Sequence, residues 1–560
     1  MGKALQASGK LWLLLILVLL PQALQASHAQ GGQLTYEALG NNAYRITCRF
    51  FRDCSGEQLP DEVRLDYRAS GTGCVDLDPL SGYLMIPRVG AVTLGNPYCT
   101  ALGTQPPCGP RKATNYQTAQ YQTTLTLPPN EEWRLFVTIA SRPEVANLPG
   151  DFSDVEPLHF EAILRTLVDT PTGKKEVQNT SPQFLEQDIP VPFVCWRQPT
   201  TLTFSATEPD GDSLVYDLAD PMNGCSETLS WGTYPGSIDD TNPQCRVIDP
   251  GGKFSAHFPI LSFQPGTCAG GSTLAVPDFR INDFNRSVTF RPALYLTGSE
   301  TAEQAQNKYV MVVQIKEYRY LEGQWVMIGL VRRDMLVIVM DCQENQVPNQ
   351  PIVSAPAAPD VRIFNTDSTL IEVPAGRLTT ARIDFSDPNP TDQLTVTTPE
   401  LDPSFPTLSN PVFLPSAVGS LVLSDNNTSH PLGQLRLQPD ARYIGQTFRI
   451  PLRIEDNACP TRAVQNRVVV VRVVPAVVVK PFGAYNIFTP NGDTKNDVFS
   501  FDSLPDDCQL QIFNRWGRLV RQYSRYQNNW NGDGQPTGIY YYILTPPTGP
   551  ATKGWVQLIR

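Results

Sequence analysis

Between Lys480 and Arg560, short apolar runs, several of them alternating with polar residues, are separated by turn residues and show no helical period, which commits the end of the chain to strands. Cys508, Leu510 and Ile512 alternate with Gln509 and Gln511. Asn514-Arg515-Trp516-Gly517 then supplies a turn, and Leu519-Val520 resumes the apolar pattern, so the stretch predicts a hairpin. Trp530-Asn531-Gly532-Asp533-Gly534 is a second turn, and Gly538-Ile539-Tyr540-Tyr541-Tyr542-Ile543-Leu544 is a β-branched and aromatic run. Trp555-Val556-Gln557-Leu558-Ile559-Arg560 carries the alternation to the last residue. Chain ends normally fray, so an end this apolar predicts a strand held in a sheet and read by another molecule.

The rest of the chain fits the same class. At 560 residues it exceeds one core and predicts three to five domains. With 51 Pro, 39 Gly and only 18% charged residues, it suits loop-rich β-sandwiches rather than helical bundles. The expected fold class is all-β: tandem immunoglobulin-like or cadherin-like β-sandwiches ending in a small C-terminal β-sandwich.

The C-terminal blocks, in order, are Ile487-Phe488-Thr489-Pro490-Asn491-Gly492-Asp493, Asn496-Asp497-Val498-Phe499, Ile512-Phe513-Asn514-Arg515-Trp516-Gly517, Asn529-Trp530-Asn531-Gly532, Gly538 to Tyr542, and Gly554-Trp555-Val556. Together they resemble the gliding-motility-associated C-terminal domain of Bacteroidetes proteins, in the version that serves as a type B sorting domain. The resemblance implies export through the type IX secretion machinery. It makes Asn491, Gly492, Asp493, Asn514, Arg515, Trp516, Gly517, Trp530, Gly532 and Trp555 the sorting-signal residues. Two positions depart from the family: Thr494 stands where a second Gly is usual, and Asn531 where Asp is usual.

Residues 1–29 read as a signal peptide, with Lys3 and Lys10 before the apolar run Leu11 to Leu20 and Ser27-His28-Ala29 at the cleavage point. No stretch is long enough to span a bilayer as a helix, so the expected mature chain is soluble and either secreted or held at the cell surface. Losing Lys3 and Lys10 takes the formal charge from −11 to −13. Such an acidic chain has no electrostatic reason to hold nucleic acid. All twelve Cys lie after Ala29 and none forms Cys-x-x-Cys, which favours disulfides over zinc or redox chemistry. Cys48 with Cys54 and Cys99 with Cys108 could close short loops, while Cys459 and Cys508 stand alone.

Along the chain, residues 30–190 predict an N-terminal β-rich domain that resembles the first module of large Bacteroidetes surface proteins. Residues 191–342 predict a sandwich resembling cadherin-like and immunoglobulin-like repeats, through Thr203 to Tyr216. Residues 343–359 are polar and Pro-rich and read as a semi-extended linker. Residues 360–475 predict a second sandwich, with Ile383 to Val396 as a weak repeat of the strand, acidic turn, strand plan. Residues 476–560 form the sorting domain.

Chemistry is sparse. Only His159, His257 and His430 follow the leader, and there is no Gly-x-Ser-x-Gly elbow or His-Glu-x-x-His helix, which argues against an enzyme. The rival is a secreted carbohydrate-active enzyme with the same tail, because two catalytic acids need no fixed spacing. Glu208, Asp210 and Asp212 put hard oxygen donors on alternate positions of one turn around Gly211, which suits Ca²⁺. Asp341 and Glu344, before Pro348, resemble the Ca²⁺-binding linker between cadherin repeats. The competing reading is a solvated turn in which Asp caps its own backbone. Asn179-Thr180-Ser181 and Asn426-Asn427-Thr428-Ser429 contain sequons that carry no information in a bacterial chain. Trp516, Trp530 and Trp555 could form a ligand platform, but core packing of a small sandwich is the ordinary use of Trp and the one expected. The expected role is an adhesin-type protein that requires no cofactor, could use Ca²⁺, and takes an extracellular glycan or protein ligand.

Overall fold

The computed structural model describes residues 29–560 apart from 55–57, 70–73, 75–77, 96–98, 100–115, 141, 150–155, 185–191, 234–251, 265–275, 297–306, 356–361, 366–368, 399–413, 460, 476–484, 503, 505 and 548–550. The expected signal peptide lies outside these residues except for Ala29. No α-helix occurs among the described residues. The chain forms two compact units, one up to Pro475 and one from Ala476.

In the first unit seven strands lie side by side in the order Ala29–Gly40, Ala43–Asp53, Tyr116–Thr126, Gly82–Gly95, Glu62–Ala69, Trp133–Ile139 and Leu158–Leu164. The long strand Gln324–Met340 joins both ends of this row. It pairs with the seventh strand through Gly329 to Val331, with the first through Arg333 to Met335, and with Phe193–Cys195 through Ile338 to Met340. Its other side is a hairpin with Lys308–Leu321, which in turn pairs with Ser213–Leu218. Strands from 30–190 and from 191–342 therefore share one sheet, and one apolar cluster runs from Leu34, Ile46 and Phe160 to Phe204, Phe290 and Val337. Gly32 makes the closure possible, because a Cβ there would sit 2.4 Å from the Phe160 ring.

The polar stretch 343–359 is not a free spacer. Asn345 is buried and donates through Nδ2 to Asp456 Oδ2 and Thr461 O, both at 3.0 Å, and Ile352–Ser354 pairs with Thr379–Asp384. Composition pointed to a linker because these residues are polar, but several of their polar groups bond to the sections on either side: Val347 N–H donates to Gln198 Oε1 and Gln350 Nε2 to Thr201 Oγ1. That section is a sandwich of a four-stranded and a five-stranded sheet enclosing Ile371, Ile383, Leu435, Ile450 and Val469.

Three disulfides are described: Cys74–Cys225, Cys99–Cys459 and Cys195–Cys342. Cys54 is also disulfide-bonded. The short loops that spacing allowed do not form, and Cys459 does not stand alone: Cys99 reaches across 360 residues to it, and Cys48 is a free, buried thiol facing the core. Sheet pairing, not spacing along the chain, brought these sulfurs together.

The second unit is one five-stranded sheet in the order Ile487–Phe488, Thr552–Leu558, Gly538–Thr545, Gln509–Asn514 and Leu519–Tyr523. The last strand is interior, bonded on one side to Gly538–Thr545 and on the other, in parallel, to Ile487–Phe488. Phe499, Phe501, Tyr526 and Trp530 cover one face, and Phe499 and Trp530 form a bridge of their own, so aromatic loop segments supply the second layer.

Candidate functional site

The acidic turn is built at the end of a buried polar network. Along Lys308–Leu321, Tyr309, Met311, Val313, Ile315 and Glu317 all point inward on a period of two, so a carboxyl sits where the pattern calls for an apolar side chain. Asn179 Nδ2 donates to Glu317 Oε2 at 2.7 Å, and the Tyr36 hydroxyl lies 3.4 Å from the same oxygen. Burial, followed by the nearby acids Glu208, Asp212 and Asp210, pushes the Glu317 carboxyl up to about 9, so it carries a proton at neutral pH.

Two residues along and on the same side of the strand, Arg319 donates through Nη2 to Asn179 Oδ1 at 3.0 Å and grips the turn. Its Nε and Nη2 donate to Asp212 Oδ1 and Oδ2 at 2.7 and 2.6 Å, and Nη2 lies 3.4 Å from Asp210 Oδ2. The Asp210 and Asp212 N–H groups donate to the two oxygens of Glu208, and Thr180 N–H donates to Asp210 Oδ2. Glu208, Asp210 and Asp212 do converge, with one carboxylate oxygen of each within 4.8 Å of the others. Both oxygens of Glu208 and Asp212 and one of Asp210 already have a guanidinium or backbone N–H partner, so a cation here would compete with Arg319. Asp341 and Glu344 do not join them: Asp341 Oδ1 accepts from Gln343 N–H in a turn of its own. Asn179, the first residue of a sequon, is fully buried. Arg319 and Glu317 were missed in sequence; the break in apolar alternation at Glu317 was the available signal.

The signature residues of the second unit divide into a framework and a surface. Trp530 is fully buried, with its ring 5.1 Å from Phe488 and 5.4 Å from Tyr540. Gly532 holds φ +85, and a Cβ there would press on Leu558 at 2.9 Å. The Asn491 to Asp497 loop folds around carboxylates: Asp497 accepts from the N–H groups of Asn491, Gly492 and Thr494. Asp493 accepts from Lys495 N–H and from Asn491 Nδ2, and these bonds hold its carboxyl below the usual range. Asn514 Oδ1 accepts from Trp516 and Arg518 N–H, and Gly517 turns the chain with φ 77.

Two of the three tryptophans correct the expectation of core packing. Trp516 is 78% exposed at the hairpin tip, with the Arg515 guanidinium 4.9 Å from its ring. Trp555 is 44% exposed opposite Tyr541 on the outer face of the sheet, where Ile487, Ile539 and Leu519 are also exposed.

No curated protein matches the chain. Among solved structures, it is similar to DIP-gamma IG1+IG2 (17% identity, 36% of this chain and 97% of that one, TM-score 0.18). It is also similar to the protocadherin GammaB4 extracellular domain (11% identity, 84% and 59%, TM-score 0.13) and to human CDH23 EC21-23 (12% identity, 66% and 100%, TM-score 0.14). The fold assignment rests on the sheets described above. Residues 482–558 match the CHU_C Type IX secretion signal domain, so the chain carries at its C-terminal end a domain that directs export to the cell surface or beyond.

Proposed function

We propose that the chain is an extracellular, adhesin-type binding protein with no catalytic role, delivered by its C-terminal unit. The observation that carries the reading is the secretion signal match over residues 482–558 in a unit whose signature residues split into a buried framework and an exposed face. The secretion machinery would recognise Trp516, Tyr541 and Trp555, which are large, apolar and presented on an ordered sheet. The body adds what an exported binding protein needs: two-sheet packing and long-range disulfides. The acidic turn serves in this reading as an ion-paired latch between Arg319 and the turn, without Ca²⁺.

The test is a glycan and protein binding array on the mature chain beside a panel of polysaccharide hydrolase assays. Saturable binding without turnover is the expected result. Turnover of any substrate would overturn the non-catalytic reading.

A further inference from the structure

Where the 191–342 section meets the 360–475 section, a cavity of about 190 Å³ is lined by Glu208, Asp212, Asn285, Arg286, Thr447 and Arg449, among others. Two guanidinium groups enter it from opposite sections, and both are held by aromatic rings. Arg286 lies 4.6 Å from the centre of the Tyr216 ring, and its Nη1 donates to the Tyr216 hydroxyl at 3.2 Å. Arg449 donates through Nε to Phe284 O at 2.8 Å and lies 5.3 Å from the Phe284 ring, with Arg472 on the same ring at 5.2 Å. Arg472 has Glu372 as an ion-pair partner at 3.4 Å. Arg286 and Arg449 have no carboxylate partner among the described residues, their polar contacts being a hydroxyl and a carbonyl.

The two acids among the lining residues do not answer these charges. Asp212 gives both oxygens to Arg319, and Glu208 gives both to the N–H groups of its own turn. Burial first, and then Arg286 and Arg472, bring the Arg449 guanidinium down to about 10, as expected for a cation crowded by like charge. A guanidinium does not shed its proton at neutral pH, so an anion is what relieves the crowding. Each ring leaves guanidinium N–H groups free to fork onto an oxyanion. At about 30 Å³ per water, the space holds roughly six waters, enough for one oxyanion group and its attachment.

We infer that Arg286 and Arg449 form a binding site for an oxyanion, such as the sulfate group of an acidic sugar or the free inorganic ion. This goes beyond the adhesin reading and does not depend on it. The test is calorimetric titration of the full mature chain with sodium sulfate, with a sulfated disaccharide and with its unsulfated counterpart, at matched ionic strength. Saturable heat with sulfate is expected, weakened at least tenfold in Arg286→Gln and in Arg449→Gln. A sulfated sugar at least tenfold tighter than sulfate identifies a sugar-borne group, and equal affinity identifies the free ion; both support the site. Unsulfated sugar binding as well as sulfated, no heat with either anion, or unchanged affinity in well-folded variants would overturn it. Should the variants fail to fold, the unaltered protein still decides: affinity for sulfate that does not fall as sodium chloride is raised overturns the site.

Discussion

Arg319 holds both carboxylate oxygens of Asp212, at 2.7 and 2.6 Å, and so fixes the turn that follows Glu208 to the hairpin strand Lys308–Leu321. The Asp212 side chain is 2% exposed and that of Arg319 22%, so this ion pair works largely out of water. Removing Asp212 leaves Arg319 partly desolvated with only the longer contact to Asp210, at 3.4 Å, as an ion pair. Asp212→Ala is therefore expected to destabilise the first unit by about 3 kcal/mol, read as a fall in melting temperature. Millimolar Ca²⁺ is expected to leave the melting of the unaltered protein unchanged; an upward shift would show that the acids hold a cation in preference to Arg319.

Glu317 gives the first unit a pH dependence. Its carboxyl titrates near 9 when folded against 4.5 as a free side chain, so the folded state binds more proton between these values. The stabilisation is complete below pH 4.5 and is lost as pH rises toward 9. His159, which burial pushes down to about 4, acts only at the acid end, so the window to read is pH 7 to 9. Melting temperature should fall across that window in the unaltered protein and stay flatter in Glu317→Gln, which keeps the shape and cannot ionise. Parallel slopes in the two proteins would rule out Glu317 as the source.

Cysteine mapping is expected to be unambiguous at eight positions. Cys48 and Cys508 should label with a thiol reagent only after denaturation, because both are free and buried. Cys74, Cys99, Cys195, Cys225, Cys342 and Cys459 should label only after reduction. Labelling of Cys459 in denatured, unreduced protein would contradict the bond to Cys99.

Trp530 and Trp516 should separate folding from recognition. Trp530→Ala empties the centre of the small aromatic core and is expected to cost about 3 to 5 kcal/mol, enough to unfold the unit. Trp516→Ser alters an exposed side chain and should leave melting within about 0.5 kcal/mol of the original. Export yield, measured as protein in the medium against protein in the periplasm, should nevertheless fall for Trp516→Ser. Full export of that variant would remove Trp516 from the recognised surface.

Much of the second unit was legible because its signals are local. The hairpin through Asn514 to Gly517, the turn at Gly532 and the terminal alternation each need only a few neighbouring residues, and all three fell where expected. Thr494 was legible as a departure: it occupies φ 69, a conformation that suits the Gly usual there and is unfavourable for a β-branched residue. What stayed hidden depends on distant pairing. Nothing near Gly31 announces that it will lie against Met335, and nothing near Cys99 announces Cys459. The acidic turn was found, but its ion pair was not, because Arg319 lies more than a hundred residues further along. The outward turn of Trp516 and Trp555 was missed for a related reason: alternation says which residues share a face, not which face is covered.

The most direct test of the account concerns the last strand, Thr552–Leu558, which is paired on both sides and places Val556 and Leu558 in the core. The full-length chain and a chain lacking residues 552–560 would be expressed in a bacterium with a working type IX system, and the medium, cell surface and periplasm assayed for each. The account predicts that the intact chain reaches the surface or medium while the shortened chain stays in the periplasm or is degraded. Equal amounts of the two outside the cell would contradict it.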